Sequence, residues 1–396
     1  MLFSSDEMRA ALHEHLAWWG LKQFTTDSDY FAWQRQRLAP ETLAQLNALV
    51  ERKREGARRD DIAFYDLAAD PTILPVLYSQ RYGYFEAVGS RVAARLDGAK
   101  RVLDFGCGAG ILTTFYARRY PQQAFVGIDR SPSSVGVARQ KARELGLTNV
   151  RFDCVDAEVE PLAGSYPVIV STQALLQAEH DPGLPSANWR TFERLHDAGR
   201  QAAFEQRTGL GVRLDRVGAV LDRDGLMIIC EKTRQLARRV PFQRALAARD
   251  LQIVEPPEPL RYSLVEEVVD DGPLYRLQKG KKRTWAWNES PEPDDGMPFN
   301  PSAIGTKACG PGEPLYENHR PSAQRMWEQL QDRRIREETT RQEPDGRQLH
   351  VELGLVGDLA YLYCANTFDQ RQLVIVDRFR IPTIEAYYRE IVGGSW

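Results

Sequence analysis

From Lys100 onward the chain alternates short apolar runs with helical stretches, and this rhythm narrows its possible folds more than any other feature. "RVLDF" is followed by "GILTTFYARRY" and "AFVGID" by "SPSSVGVARQKARELG"; "NVRFDCVDAE" and "YPVIVSTQ" continue the series. Strands alternating with helices join by right-handed crossovers, so they predict a mostly parallel sheet covered on both faces. "AVLDRDGLMIICEK" predicts a fifth strand, with Gly225 in a tight turn leading into it. "LQIVEPPEPLRYSLVEEVV" and "GPLYRLQKG" predict a final pair, one of them antiparallel at the sheet edge. The expected core is an α/β unit with a seven-stranded sheet over residues 99–280. It carries an insertion at about 174–217 whose middle is helical.

Other patterns flank this core. Residues 1–98 carry apolar side chains at helical spacing, and "VLYSQRYGYFEAVGSRVAARL" reads as one amphipathic helix. The many large aromatics there are expected to pack helices together, a few of them forming a lid. Residues 281–320, dense in Pro, Gly and acids, read as a linker. Residues 321–396 read as a small α+β module. "SAQRMWEQLQDRRIREET" is its expected first helix, two or three antiparallel strands follow, and "IPTIEAYYREIVG" closes it. Those strands alternate strongly enough to pair across a partner subunit, so a homodimer is one expectation.

The turn after the first strand reads Asp104-Phe105-Gly106-Cys107-Gly108-Ala109-Gly110. A dinucleotide turn, G-x-G-x-x-G, would require glycine where Ile111 stands. An acid two residues before the first glycine also disfavours a pyrophosphate. It favours a ligand that carries an ammonium group.

With these residues quoted, Arg101 to about Lys232 resembles the core of a class I, Rossmann-like S-adenosylmethionine-dependent methyltransferase. The resemblance implies S-adenosylmethionine as cofactor, with Asp104 on its amino group and Gly106, Cys107, Gly108 and Gly110 lining its loop. "FVGIDRS" places Asp129 as the ribose acid, with Arg130 beside it. "RFDCVDAE" places Asp156 on the adenine amine and the Ala157 N–H on the ring. Thr172, in "VIVSTQ", ends the fourth strand at the edge that faces the methyl group in related enzymes. Arg81, just before the core, is expected to meet the methionine carboxylate.

The acceptor is less constrained. Aromatic faces favour a sulfonium, which makes Tyr78, Tyr82 and Tyr84 candidates to close over it. His180 and Tyr82 are the candidate catalytic residues, and His196 lies in the same insertion as His180. Glu179, His180 and Asp181 are adjacent in one loop and do not predict a metal site. No Asn-Pro-Pro-Tyr or Asp-Pro-Pro-Tyr follows the fourth strand, and no paired glutamates flank a hairpin there. The formal charge of −3 gives no overall pull toward nucleic acid. "RKREGARR", "RQLARR" and "KGKKR" read as solvated faces. No apolar run approaches the roughly 20 residues that span a bilayer. The five scattered cysteines suit a reducing, cytoplasmic setting. The expectation is methyl transfer to a small molecule. The alternatives are a protein or RNA acceptor docked through the C-terminal module, or non-methylating chemistry on the same cofactor.

Overall fold

The structure, a computed structural model, describes residues 5–54, 58–176, 181–280, 285–296, 298–299, 313–344 and 346–394. The chain forms two compact units. The first comprises Met1–Asp181, Ala202–Arg234 and Phe242–Trp287; the second comprises Pro182–Gln201, Gln235–Pro241 and Asn288–Trp396.

The first unit opens with six helices: α1 (Ser5–Trp18), α2 (Asp27–Arg37), α3 (Pro40–Arg54), α4 (Arg58–Ala68), α5 (Leu74–Gln80) and α6 (Tyr82–Ala93). Thr26 caps α2 by accepting from the Asp29 N–H at 3.2 Å. α5 and α6 replace the single helix expected from the sequence. The chain breaks at Arg81, whose φ of −98° and ψ of 20° leave the helical region. Leu12 and Leu16 of α1 and Val88 and Val92 of α6 are fully buried in the core that also holds Val102, Phe115 and Ile228. Each such side chain contributes about 1.5–3 kcal/mol through removal from water.

The α/β part runs β1 (Arg101–Phe105), α7 (Ile111–Arg119), β2 (Ala124–Asp129), α8 (Pro132–Glu144), β3 (Val150–Cys154), β4 (Tyr166–Thr172), α9 (Ala198–Arg207), α10 (Leu210–Val220), β5 (Leu221–Cys230), α11 (Leu236–Ala247), β6 (Leu251–Ile253), β7 (Glu258–Leu264) and β8 (Glu267–Lys279). The sheet has eight strands rather than seven, in the order β3-β2-β1-β4-β5-β8-β6, with β7 paired to β8 alone. The order reverses between β1 and β4, the place where open α/β sheets bind ligands at their carboxyl edge.

Three local expectations are corrected. Gly225 lies inside β5, not in a tight turn. The irregularity is a register shift, from Tyr166 opposite Leu221 to Val168 opposite Leu226. The antiparallel strand is interior, because β8 lies between β5 and β6 and buries Leu274, Tyr275 and Leu277. Among the described residues the insertion is helical only from Ala198 on; Pro182 to Asp197 is irregular.

β8 is long, and only its second half joins the main sheet. Cys230, the last residue of β5, pairs with Leu274. Residues 267–273 therefore run beyond the carboxyl end of β5, paired with β7 as a hairpin. The hairpin packs on α6. A Cβ on Gly83 would come within 2.6 Å of the Ser263 carbonyl, and Arg91 pairs with Glu258 at 2.6 Å.

The second unit is a five-stranded antiparallel sheet in the order β10-β11-β12-β13-β9. Its elements are β9 (Tyr316–Asn318), α12 (Ser322–Glu328), β10 (Arg334–Gln342), β11 (Gln348–Val356), β12 (Leu359–Asn366), β13 (Arg371–Asp377) and α13 (Ile381–Gly393). The expected long helix ends at Glu328. Asp332 takes a left-handed φ of 54°, and "RIREETTRQ" continues as β10, a largely exposed, charge-rich edge strand. Both faces of the sheet are apolar. Tyr361 and Tyr363 face Trp327 and Trp189, while Leu362 and Cys364 face Ile384 and Tyr388. Part of the insertion belongs to this unit: the Ser186 N–H donates to the Thr367 carbonyl at 2.8 Å, and Arg194 pairs with Asp369.

Candidate functional site

The glycine turn is shaped by left-handed backbone. Gly106, Gly108 and Gly110 have φ of +76°, +54° and +82°. A Cβ on Gly106 would collide with the Ala174 side chain, and one on Gly110 would lie 2.8 Å from Ala138. A Cβ on Gly108 would meet nothing within 4 Å, so the turn is open there. The N–H groups of Gly106 and Cys107 donate to the Ile128 carbonyl at 2.9 and 3.0 Å, tying the turn to β2.

Asp129 ends β2 beneath this turn. Its Oδ2 accepts from the Gly108 N–H and its Oδ1 from the Ser131 N–H, both at 2.9 Å. Burial raises its carboxyl above the ordinary range against these bonds. Asp104 is buried at the end of β1, where Thr113 donates to its Oδ2 at 2.5 Å. Burial pushes Asp104 up to about 6; the Thr113 bond opposes this and the Asp129 charge adds to it. A buried acid so poised gains most from a cationic neighbour. Burial, with Asp129 and Asp104 nearby, also pushes the Cys107 thiol well up, so it is a packed, protonated side chain and not a nucleophile.

The far end of the turn is covered by α4. Asp66 accepts from the Ser131 hydroxyl at 2.6 Å and from the Ser133 N–H at 3.1 Å. Arg130 is ion-paired to Asp61 and lies 3.5 Å from Glu158, so its guanidinium is committed to protein carboxylates. Asp156 accepts from the Glu158 N–H at 3.0 Å in the turn after β3, with Ala157 buried beside it. The Val155 N–H donates to the Asp129 carbonyl at 3.0 Å and holds the two strand ends together. These residues fit an adenosylated amino acid: a glycine cradle, an acid for its ammonium and paired acids along the nucleoside side.

A second group of side chains meets the same edge beyond β4. Gln173 follows Thr172 with φ of +57°, a strained conformation for a residue with a side chain. Its Oε1 accepts from Arg81, and its Nε2 donates to Asp271 Oδ2 at 2.5 Å. The Tyr262 hydroxyl donates to the same Asp271 oxygen. The Arg81 guanidinium lies 4.4 Å over the Tyr84 ring, and Tyr84 meets Tyr262 edge-on at 5.4 Å. Burial works against the Arg81 charge, but Tyr84, Tyr262, Tyr65 and Tyr78 outweigh it. No carboxylate pairs with Arg81 among the described residues, so this buried cation is suited to an incoming anion. Thr172 bonds the Tyr84 hydroxyl. Behind this group Glu231 accepts from the N–H groups of Ala174, Leu175 and Leu176 at 3.0, 2.9 and 3.3 Å. Burial pushes Glu231 up to about 7 against those bonds, which fix the loop after β4.

The cofactor candidates thus gather at one sheet edge, while the catalytic candidate Tyr82 lies apart from them. Tyr82 packs toward α1, its ring 5.7 Å from His13 and edge-on to it. Tyr78 and Tyr84 are the tyrosines that share surroundings with Asp129 and Thr172. His180 lies outside the described residues. His15 is walled in by Trp19, Thr114 and the Ile111 carbonyl, and burial lowers it to about 4. The residues that spacing did not single out are Tyr262, Asp271 and Glu231. The signal for the first two is weak: "YSLVEEVVDDG" reads as any hairpin.

In the second unit Glu338, His350 and Glu352 come together as a group of metal-ligand type. Glu338 lies 3.8 Å from the His350 Nδ1 and Glu352 3.8 Å from its Nε2. The two acids thus approach different ring nitrogens, and Nδ1 already faces the Thr340 hydroxyl at 2.9 Å.

The strand order and the turn define a class I methyltransferase architecture. Residues 96–243 match the family described as a methyltransferase domain. That segment of the chain therefore carries a methyltransferase domain. The segment is similar to malonyl-[acyl-carrier protein] O-methyltransferase of Acetivibrio thermocellus, 36% identical over 78 residues, 20% of this chain and 25% of that protein. It is similar to trans-aconitate 2-methyltransferase of Mycobacterium tuberculosis, 34% identical over 106 residues, 27% of this chain and 37% of that protein. The magnesium protoporphyrin IX methyltransferase of Synechocystis, solved with S-adenosylmethionine, aligns at 16% identity over 52% of this chain and 81% of that one, with a TM-score of 0.35. The match thus spans well under half the length of the two sequence relatives.

Proposed function

We propose that the chain is an S-adenosylmethionine-dependent methyltransferase acting on a small molecule. The observation that carries this reading is the convergence of Asp104, the open Gly108 and Asp129 at the carboxyl edge of a methyltransferase domain. The two sequence relatives, named for a malonyl-[acyl-carrier protein] and for trans-aconitate, support methyl transfer and leave the acceptor of this chain separate.

S-adenosylmethionine supplies an electrophilic methyl group on a sulfonium. Asp104 holds the ammonium end, Arg81 the carboxylate, and Asp129 the ribose hydroxyls. Asp156 and the Ala157 N–H hold the adenine. Tyr78 and Tyr84 present aromatic surface toward the cationic centre. Alignment and exclusion of water are the chain's main tasks in an in-line displacement. The reading includes a reducing compartment, supported by Cys107, Cys154, Cys230 and Cys364, all free thiols. No helix among the described residues is long and apolar enough to cross a membrane.

Calorimetric titration with S-adenosylhomocysteine tests the proposal. One site per chain in the micromolar range is expected. Absence of binding at millimolar ligand would remove the reading.

A further inference from the structure

We infer that Asp271 is the base that takes the acceptor's proton, and that the acceptor presents a hydroxyl or an amine. The inference rests on the methyl-transfer reading above. Two backbone irregularities meet at this point of the site. In the β7–β8 hairpin Leu260 pairs with Gly272 and Arg261 with Asp270, which leaves Asp271 as the extra residue of a β-bulge. A bulge re-aims one side chain and is enriched beside active sites. The Asp271 carbonyl is pinned by the N–H groups of Thr233 and Arg234, at 2.6 and 2.9 Å. Its carboxylate is turned to Tyr262 on the facing strand and to Gln173 after β4. Gln173 is itself the strained residue, held by partners on both ends of its side chain. Strain of this kind persists where the surroundings over-determine it, as at functional sites.

The position is right for chemistry. Residues 267–273 extend past the carboxyl end of β5, over the ligand edge of the sheet. Ala174 stands where a Cβ on Gly106 would fall, so its neighbour Gln173, which donates to Asp271, lies beside the cofactor cradle. Both donors occupy Oδ2 of Asp271, and Oδ1 has no hydrogen-bond partner among the described residues. Arg81 is the local cation and is taken by the methionine carboxylate. A carboxylate acceptor would then sit beside a like charge and have no proton to give. A hydroxyl or amine has one. Its proton passes to Asp271 Oδ1 as its lone pair forms the bond to the methyl carbon. The carbon–sulfur bond breaks with its electron pair kept on sulfur. The products are the methylated acceptor, neutral S-adenosylhomocysteine and protonated Asp271.

The test uses the full chain with trideuteromethyl S-adenosylmethionine and a small-molecule extract of the encoding organism, read by mass spectrometry. A labelled methyl ether or N-methylamine is expected. With that acceptor, Asp271→Asn lowers kcat about 100-fold while S-adenosylhomocysteine affinity stays within about threefold. Tyr262→Phe, which removes one of the two bonds on Oδ2, lowers kcat about tenfold with the same affinity, and it decides the matter where Asp271→Asn does not fold. A labelled methyl ester, or unchanged kcat in the variants, overturns the role of Asp271 and leaves methyl transfer standing. No labelled product from a chain that binds S-adenosylhomocysteine overturns methyl transfer, and the inference with it.

Discussion

The two halves of the site at the sheet edge are built in different ways. The cofactor half is local in sequence: a turn, a strand end one β-α-β unit later, and another after the next. Its donors are mostly backbone N–H groups held by Asp129. The half proposed to meet the acceptor is assembled from remote pieces. Arg81 reaches Gln173 across 92 residues, and Gln173 reaches Asp271 across 98. A cofactor pocket of fixed shape can be written as a motif. The proposed acceptor side is written into a helix break, a strained strand end and a bulge.

If the halves divide binding from transfer, the largest effect belongs to Asp129. Asp129→Ala should weaken S-adenosylhomocysteine binding at least about 100-fold, about 2.7 kcal/mol, by calorimetry. Asp129→Asn, which keeps the shape, should still weaken it. Retained affinity in both would move the ribose elsewhere. Next is Gly106→Val, which combines a positive φ with a collision at Ala174. It should destabilise the fold by about 2–4 kcal/mol in denaturant titration, and an unchanged midpoint would mean that the turn is not as tight as described.

Arg81 tests the border between the halves. Arg81→Gln should cost about tenfold in S-adenosylhomocysteine affinity and leave methylthioadenosine, which has no carboxylate, unaffected. Equal losses for both ligands would take the methionine carboxylate away from Arg81. The smallest effect is in pH. Asp104 sits near 6 in the free protein, raised by burial. Its protonated form stabilises the apo fold below the ordinary carboxyl range, and that contribution is lost as pH rises from about 4 through 6. Binding an ammonium needs the ionised form. Cofactor affinity should therefore fall as pH drops below 6, by up to about tenfold per unit, and level off above it. Asp104→Asn should flatten this profile, and an unflattened one would assign the titration to another group.

The same contrast explains what the sequence revealed. The βαβ alternation and the acids at the strand ends made the core and its ligand edge readable, because both depend on short-range spacing. Glu231 was invisible, since its role comes from three N–H groups after β4. Arg81 was visible as a residue but not as a helix break. "RIREET" reads as the end of a helix because an exposed, charge-rich edge carries no apolar period of its own, and only its pairing with β11 makes it a strand.

The most direct measurement is a paired titration of Asp129→Asn and Asp271→Asn with S-adenosylhomocysteine. The account predicts weakened binding in the first and wild-type binding in the second. Wild-type binding in the first, or equal loss in both, would contradict the division of the site into a cofactor half and an acceptor half.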